Sequence, residues 1–276
     1  IGGLTFQPGE LAKIALTIFF AGYLVQRKDS LAMTGRTILG IQIPKARELG
    51  PILAIWLVSL LVLVVQRDLG TSLLFFGLFL VMIYTATGRA IYTVVGLGMF
   101  LTGALVASRA ISYVTKRFDA WLNPFDDAHY NAIGGSYQLV QGLFGFAHGG
   151  LLGTGLGGGV PQLVPLAESD FIIASLAEEL GLVGIFVIFT LYVLLVARGL
   201  RIGFNHNDDF SKLLATGLSF VIALQVFVVI GGVTRLVPLT GLTTPLLAAG
   251  GSSLVANWII IGLLLRISDT NRKEVE

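Results

Sequence analysis

The sequence predicts an all-α polytopic membrane protein, a helical bundle of about seven transmembrane helices with one large loop outside the membrane. Three observations carry this. Hydrophobic residues make up 55% of the chain and charged residues only 12%, half the ~25% charged share of ordinary soluble domains. The apolar residues come in blocks close to the ~20 residues a helix needs to cross hydrocarbon. No run alternates apolar and polar side chains as a half-buried strand does. Cysteine is absent, which excludes disulfides, thiolate metal sites and thiol nucleophiles. The net charge of +2 is unremarkable, and no nucleic-acid partner is expected.

The apolar runs lie at roughly 9–26, 49–66, 69–87, 90–113, 171–198, 212–233 and 245–267. The one long polar segment is 114–170, read as a large extracellular loop within a single transmembrane domain spanning 1–276. The chain opens at Ile1 with neither a methionine nor a signal peptide, which reads as a piece whose upstream part is missing. Between the spans, Arg27, Lys28, Arg36, Lys45, Arg47, Arg89, Arg198, Arg201, Lys212, Arg266, Arg272 and Lys273 fall on one side. The other side has Arg67, Arg109, Lys116, Arg117 and Arg235, and Lys13 lies inside a span. The positive-inside rule then puts the 27–48 loop and the C-terminus in the cytoplasm and the 114–170 loop outside.

The first span opens Gln7-Pro8-Gly9-Glu10-Leu11-Ala12-Lys13. Pro8 suits a first helical turn, where its missing N–H costs nothing. Glu10 sits near the positive end of the helix dipole. Lys13 lies about 7.5 Å deeper than Pro8. It either snorkels to the interface or is an intramembrane cation paired with an acid. In Gln66-Arg67-Asp68-Leu69-Gly70-Thr71, Asp68 is expected to cap the next helix. The outer segment opens with Lys116-Arg117-Phe118-Asp119-Ala120-Trp121. These residues fit either headgroup contact or recognition of a diphosphate, which suits arginine's planar fork. His129 and His148 have no metal-like partners at suitable spacing.

Glycines then accumulate from Gly142 to Gly159, without the Lys-Ser/Thr of a phosphate loop. Their apolar neighbours predict a segment lying along or dipping into the outer leaflet. Such backbone is tolerated only when buried in protein or lining a wet cavity. The segment ends in Asp170, at the head of an apolar run carrying Glu178 and Glu179. Acids there are costly and mark function or pairing. Glu178 lies about 12 Å along and about 80° around the helix from Asp170, so it can line the same cavity, with Glu179 nearly opposite. The last outer loop, Arg235 to Pro245, and Gly250-Gly251-Ser252-Ser253 fit a kinked, close-packed helix start or a cavity wall.

Together these pieces resemble the SEDS family, the RodA- and FtsW-type peptidoglycan polymerases, and lie closer to the RodA type. The matching residues are Pro8-Gly9-Glu10-Leu11-Ala12-Lys13, Arg67-Asp68-Leu69-Gly70-Thr71, Gly149-Gly150-Leu151-Leu152-Gly153-Thr154-Gly155, Asp170-Phe171-Ile172 with Glu178-Glu179-Leu180-Gly181, and Pro238-Leu239-Thr240-Gly241 with Gly250-Gly251-Ser252-Ser253. They fall in family order over nearly the whole chain; each alone is weak, and together they are specific. The resemblance implies a ten-helix fold of which this chain holds the last seven helices, in the bacterial cytoplasmic membrane. It implies polymerisation of lipid II into glycan strands at the outer membrane face, for cell elongation and shape. It also implies a transpeptidase partner, a class B penicillin-binding protein, beside contacts with membrane lipids. Asp170 takes the place of the family's essential acid, and Lys13 that of its salt-bridge partner. Two positions depart from the family pattern. Glu168 stands where a histidine is frequent, so no histidine-assisted mechanism carries over, and Ala248-Ala249 stand where Ser-Tyr is common.

The expected chemistry is glycosyl transfer, with Asp170 as base and Lys13 keeping it ionised and oriented. Arg67, Lys116, Arg117 and Arg235 are candidates for the departing diphosphate. Gln141, Gln162 and Ser252 complete the substrate-contacting set, with Glu10, Asp68, Glu178 and Glu179 in support. A magnesium or manganese ion is compatible with this set, although no compact carboxylate cluster demands one. Alternatively, Asp170 holds an acceptor hydroxyl or a cation. At the level of function the rivals are a flippase or transporter of lipid-linked precursors, an FtsW-type division polymerase, and a scaffold for the transpeptidase.

Overall fold

The computed structural model describes residues 7–32, 37–38, 41–42, 50–132 and 135–275. The described residues form α1 (Pro8–Ala32), a two-residue antiparallel pair β1 (Thr37–Ile38) and β2 (Ile41–Gln42), α2 (Gly50–Gln66), α3 (Leu69–Thr87), α4 (Ala90–Ala110), α5 (Ser112–Leu122), α6 (Asp127–Tyr130), α7 (Tyr137–Gly149), α8 (Ile172–Phe204), α9 (Asp209–Val233) and α10 (Gly251–Val275). Six of these, α1, α3, α4, α8, α9 and α10, are long and apolar enough to cross a membrane. α2, the seventh expected span, has 17 residues, the lower limit for a spanning helix (about 17–25 residues). The small β pair is a feature that residue alternation did not reveal. Arg36, Lys45 and Arg47 lie outside the described residues.

Three boundaries differ from the sequence expectation. The run at 90–113 breaks at Ile111, whose extended backbone (φ −112, ψ 107) separates α4 from the more amphipathic α5. The run at 245–267 becomes helical only at Gly251, after Pro245 and a left-handed Leu246 (φ 65). The 114–170 segment, read as a loop, holds α5, α6 and α7.

The chain divides into two compact units. Unit 1 is built from Ala107–Leu195 and Ala223–Val255, and unit 2 from Gln7–Val106, Val196–Ile222 and the chain from Ala256 on. In unit 2, most of α3 is buried, with Phe76, Leu78, Phe79, Met82 and Ile83 at 2% exposure or less. α1 packs on it through Phe20, whose ring centroid is 5.1 Å from that of Phe79. Apolar burial gains little between helices in lipid, so this contact rests on close packing. Asp68 caps α3, accepting from the Thr71 N–H at 2.9 Å and the Thr71 hydroxyl at 2.5 Å. Gly88 ends it in a left-handed conformation, donating its N–H to the Tyr84 carbonyl at 2.8 Å.

In unit 1, Gly142, Gly145 and Gly149 place one bare face of α7 against Phe171, Ala174 and the Ala177–Glu178 backbone at the start of α8. The helix α8 is not continuous. Gly181 adopts φ 67, ψ −175, a region open essentially to glycine alone. A helix broken at this point leaves unsatisfied carbonyls before the break and unsatisfied N–H groups after it. The glycine-rich loop supplies both kinds of partner. The Thr154 and Gly155 N–H groups donate to the Glu178 and Glu179 carbonyls, each at 3.0 Å. The Leu182 and Val183 N–H groups donate to the Gly150 and Leu151 carbonyls at 2.9 and 3.1 Å. The close approach needs bare backbone on both sides: a Cβ on Gly153 would lie 2.1 Å from the Glu179 carbonyl oxygen, and one on Gly181 would lie 2.3 Å from the Gly153 nitrogen. Irregular backbone in an apolar setting must be satisfied internally, and the Gly149–Gly155 motif does this for the broken helix.

Candidate active site

Asp170 stands two residues ahead of α8, at the end of a series of turns. Val164, Ala167 and Phe171 anchor that series in a buried cluster with Ala174 and Val233, with Phe146 and Leu239 packed at its edge. Burying those three leaves Glu168 exposed and Ser169 and Asp170 half-buried. The Ser169 hydroxyl lies 2.8 Å from Asp170 Oδ1 and donates to it. The Ala249 N–H donates to the Glu168 carbonyl at 2.7 Å, tying the acid-bearing turn to the segment ahead of α10.

Beside this turn lies a cavity of 560 Å³, whose polar lining is Gln162, Glu168, Ser175 and Glu179, among Pro161, Val164, Pro165, Leu166, Ala167, Ile172 and Leu176. Its size is that of a small-molecule site, roughly 300–1,000 Å³. Asp170 belongs to the turn that forms one wall but is not itself among the lining residues. The Ser175 hydroxyl is buried and has no partner among the described residues. A buried hydroxyl left unpaired is costly, so it is a ready contact for a bound polar group. Sequence reasoning passed over Ser175; the signal was its spacing four residues before Glu179, which puts the two on one helical face.

The adjacent glutamates part company, and in the opposite sense to the expectation. Glu179 lines the cavity. Glu178 is 5% exposed, and its Oε1 lies 2.9 Å from Nδ1 of His148 at the end of α7. This pair was missed because the histidines were weighed only as metal ligands. Among the described residues, no group of three or more His, Asp or Glu is placed to hold a metal ion.

Arg117 and Arg235 converge on one junction of unit 1 and act there on backbone. Arg117 Nη1 donates to the Leu239 carbonyl at 2.6 Å, and its guanidinium stacks 4.8 Å from the Tyr113 ring centroid. Arg235, in a left-handed conformation (φ 63), donates from Nε to the Trp121 carbonyl at 2.9 Å and from Nη2 to the Leu122 carbonyl at 2.8 Å. Trp121 Nε1 returns a bond to the Arg235 carbonyl at 3.0 Å. Both arginines thus pin α5 to the loop ahead of α10. Lys116 is exposed. Gln141 donates to the Tyr130 hydroxyl at 3.0 Å, joining α7 to α6. Ser252 is half-buried in the first turn of α10, next to Ser253, whose hydroxyl bonds Thr243 at 2.9 Å.

The remaining candidates belong to unit 2. Lys13 is 1% exposed, so it does not snorkel. Its Nζ lies 2.6 Å from Oε2 of Glu10, which is 4% exposed. Gly9 brings the head of α1 against Thr71, where a Cβ would meet Oγ1 at 3.3 Å. The Glu10–Lys13 pair and the Asp68 cap are therefore neighbours, and Arg67 is exposed beside the cap (φ 54). Asp170 lies in unit 1 and Lys13 in unit 2.

Comparison with known proteins places these residues in context. A family profile described as "Cell cycle protein", covering FtsW, RodA and SpoVE, matches residues 1–273. A peptidoglycan glycosyltransferase RodA from Mycobacterium tuberculosis is 49% identical over 271 residues, 98% of this chain and 57% of the relative. Stage V sporulation protein E of Bacillus subtilis is 34% identical over 275 residues, 99% of this chain and 71% of the relative. Among solved structures, a chain of a peptidoglycan synthase complex that coordinates polymerization and crosslinking aligns with a TM-score of 0.75 at 27% identity, covering 98% of this chain and 72% of that one. This chain therefore spans a little over half the length of the RodA relative.

Proposed function

The chain belongs to the FtsW/RodA/SpoVE family of cell cycle proteins and is a multi-pass membrane protein, and from that premise we propose that it polymerises lipid II as a peptidoglycan glycosyltransferase of the RodA type. One observation supports this above the others. A half-buried acid, Asp170, is held by Ser169 and by the buried anchor Phe171, on the turn that walls a 560 Å³ cavity of mixed polar and apolar lining. The reaction needs such an acid. An acceptor sugar hydroxyl attacks the anomeric carbon of the donor chain, and its oxygen forms the new glycosidic bond. The bond from that carbon to the undecaprenyl diphosphate oxygen breaks, and the electron pair leaves with the diphosphate. The hydroxyl proton passes to the Asp170 carboxylate.

Lys13 is the proposed cation that keeps Asp170 ionised, with Glu10 sharing its charge. Lys116, exposed in unit 1, is the proposed cation for the diphosphate. Arg117 and Arg235 position the wall and offer only their remaining donors. Gln162, Ser175 and Glu179 are the proposed sugar contacts. A magnesium or manganese ion, as part of the proposal, would use Glu168 and Glu179, because magnesium takes only one or two carboxylates beside water and substrate phosphate. The proposal further places the acid at the outer face of the bacterial cytoplasmic membrane and includes a class B penicillin-binding protein as partner.

Transport of a lipid-linked precursor is the second reading, favoured by the buried Glu10–Lys13 pair inside α1. Full-length protein reconstituted in liposomes with lipid II separates the two. Glycan strands formed from the outer lipid support the polymerase. Lipid moved across the bilayer with no polymer formed removes it.

A further inference from the structure

We propose that the ends of α8 and α10 form a binding site for the phosphate of an anionic lipid headgroup, separate from the polymerisation site. Within unit 2, a cavity of 160 Å³ is lined by Arg198, Arg201, Ile202, Asn205, Ser268 and Asn271. The α8 residues repeat at intervals of three and four, so they share one helical face, and Ser268 and Asn271 are three apart on α10. Among the described residues, the lining offers two guanidinium groups, two amides and one hydroxyl, and no carboxylate. Neither arginine has a carboxylate partner among the described residues. The acid next along α10, Asp269, lies 3.4 Å from Arg266.

Two fixed positive charges with neutral donors around them suit an oxyanion, and arginine's planar fork suits phosphate in particular. The volume is well below the roughly 300–1,000 Å³ of drug-sized pockets. It admits a phosphate head and excludes a sugar-peptide, so this is not a second site for the polymerised substrate.

The position favours a lipid as the source of the phosphate. The apolar segment of α8 ends at Ala197 and that of α10 at Leu265. The cavity begins one residue beyond the first and three beyond the second, where hydrocarbon gives way to headgroups. Leu265, three residues before Ser268 on the hydrocarbon side, is 64% exposed, an apolar surface for the acyl chains of a lipid whose phosphate occupies the cavity. Basic pockets between transmembrane helices are a recurring way to hold anionic headgroups.

The test is native mass spectrometry of the full-length protein in detergent, titrated with phosphatidylglycerol, phosphatidylcholine or inorganic phosphate. Wild-type protein should retain phosphatidylglycerol more tightly than phosphatidylcholine. The Arg198→Gln, Arg201→Gln double variant should bind phosphatidylglycerol about 30-fold more weakly, while Arg198→Lys, which keeps the charge and loses the fork, should lose less. Should the double variant fail to fold, Ser268→Ala with Asn271→Ala carries the test, with a smaller loss in the same direction. Inorganic phosphate binding that depends on the two arginines, with phosphatidylglycerol binding that does not, overturns the lipid source. Equal binding of all three probes by wild type and variants overturns the site.

Discussion

Replacing Gly181 by alanine should undo the join between the glycine-rich loop and the broken helix. Two costs follow from the geometry. The conformation at φ 67, ψ −175 is strained for any residue with a Cβ, by about 1–3 kcal/mol. The added Cβ would also lie 2.3 Å from the Gly153 nitrogen and 2.5 Å from the Leu151 carbonyl oxygen. Both obstacles are backbone, so the loop must move. Moving it parts the Thr154 and Gly155 N–H groups from the Glu178 and Glu179 carbonyls, at about 1–3 kcal/mol for each buried group left unpaired. The expected loss is at least about 3 kcal/mol, a large share of the 5–15 kcal/mol of a typical domain. Hydrogen exchange should show rapid exchange at the amides of Thr154, Gly155, Leu182 and Val183 in the variant and slow exchange in wild type. The unfolding midpoint in detergent should fall with it. Gly98 is the control: it is helical, with nothing within 4 Å of an added Cβ, so Gly98→Ala should be neutral or stabilising by up to about 1 kcal/mol. Unchanged protection at those four amides in Gly181→Ala, with a wild-type midpoint, would refute the account of the loop.

Other predictions rest on single contacts. Asp68→Ala removes the α3 cap and should cost about 0.5–2 kcal/mol, read as a lower midpoint of thermal unfolding. The Ser211 backbone N–H, then its hydroxyl, hold the Asp208 carboxyl below the usual carboxylate range, against a smaller opposing effect of burial. A depressed folded-state value contributes stability above the unfolded pKa of about 3.9, and that contribution is lost as pH falls through the folded value. Asp208→Asn should therefore flatten the fall in unfolding midpoint on acidification below about pH 4. Arg235→Lys loses the two-pronged grip on the Trp121 and Leu122 carbonyls and should lower the midpoint. Lys116→Gln should leave the midpoint unchanged and raise KM for lipid II.

The spans were legible because composition and run length decide them with no knowledge of neighbours. What sequence could reach at the sites was local. The Asp68 cap joins residues three apart, and that spacing is read directly from the chain, whereas the acid beside Lys13 is Glu10, where the resemblance implies Asp170. The break at Gly181 was not legible, since a glycine in an apolar run reads as a packing contact, and the partners that make a break affordable lie some thirty residues upstream. The His148–Glu178 pair is hidden by the same separation. Arg117 and Arg235 were read as diphosphate ligands because a sequence displays charges and conceals carbonyls; their structural acceptors are backbone oxygens on distant segments. Glu178 and Glu179 exchanged places because helical angles measured from Asp170 do not apply where Asp170 lies outside the helix.

The central claim is that Asp170 takes the acceptor's proton, and the measurement closest to it is steady-state lipid II polymerisation by the full-length protein carrying Asp170→Asn. The substitution keeps the size of the side chain and an oxygen for the Ser169 hydroxyl, and removes the negative charge and with it the basicity. The account predicts a fall in kcat of about 10²–10⁴, with little change in KM and an unfolding midpoint like that of wild type. A kcat equal to wild type in a folded variant would contradict it and return Asp170 to a positioning role.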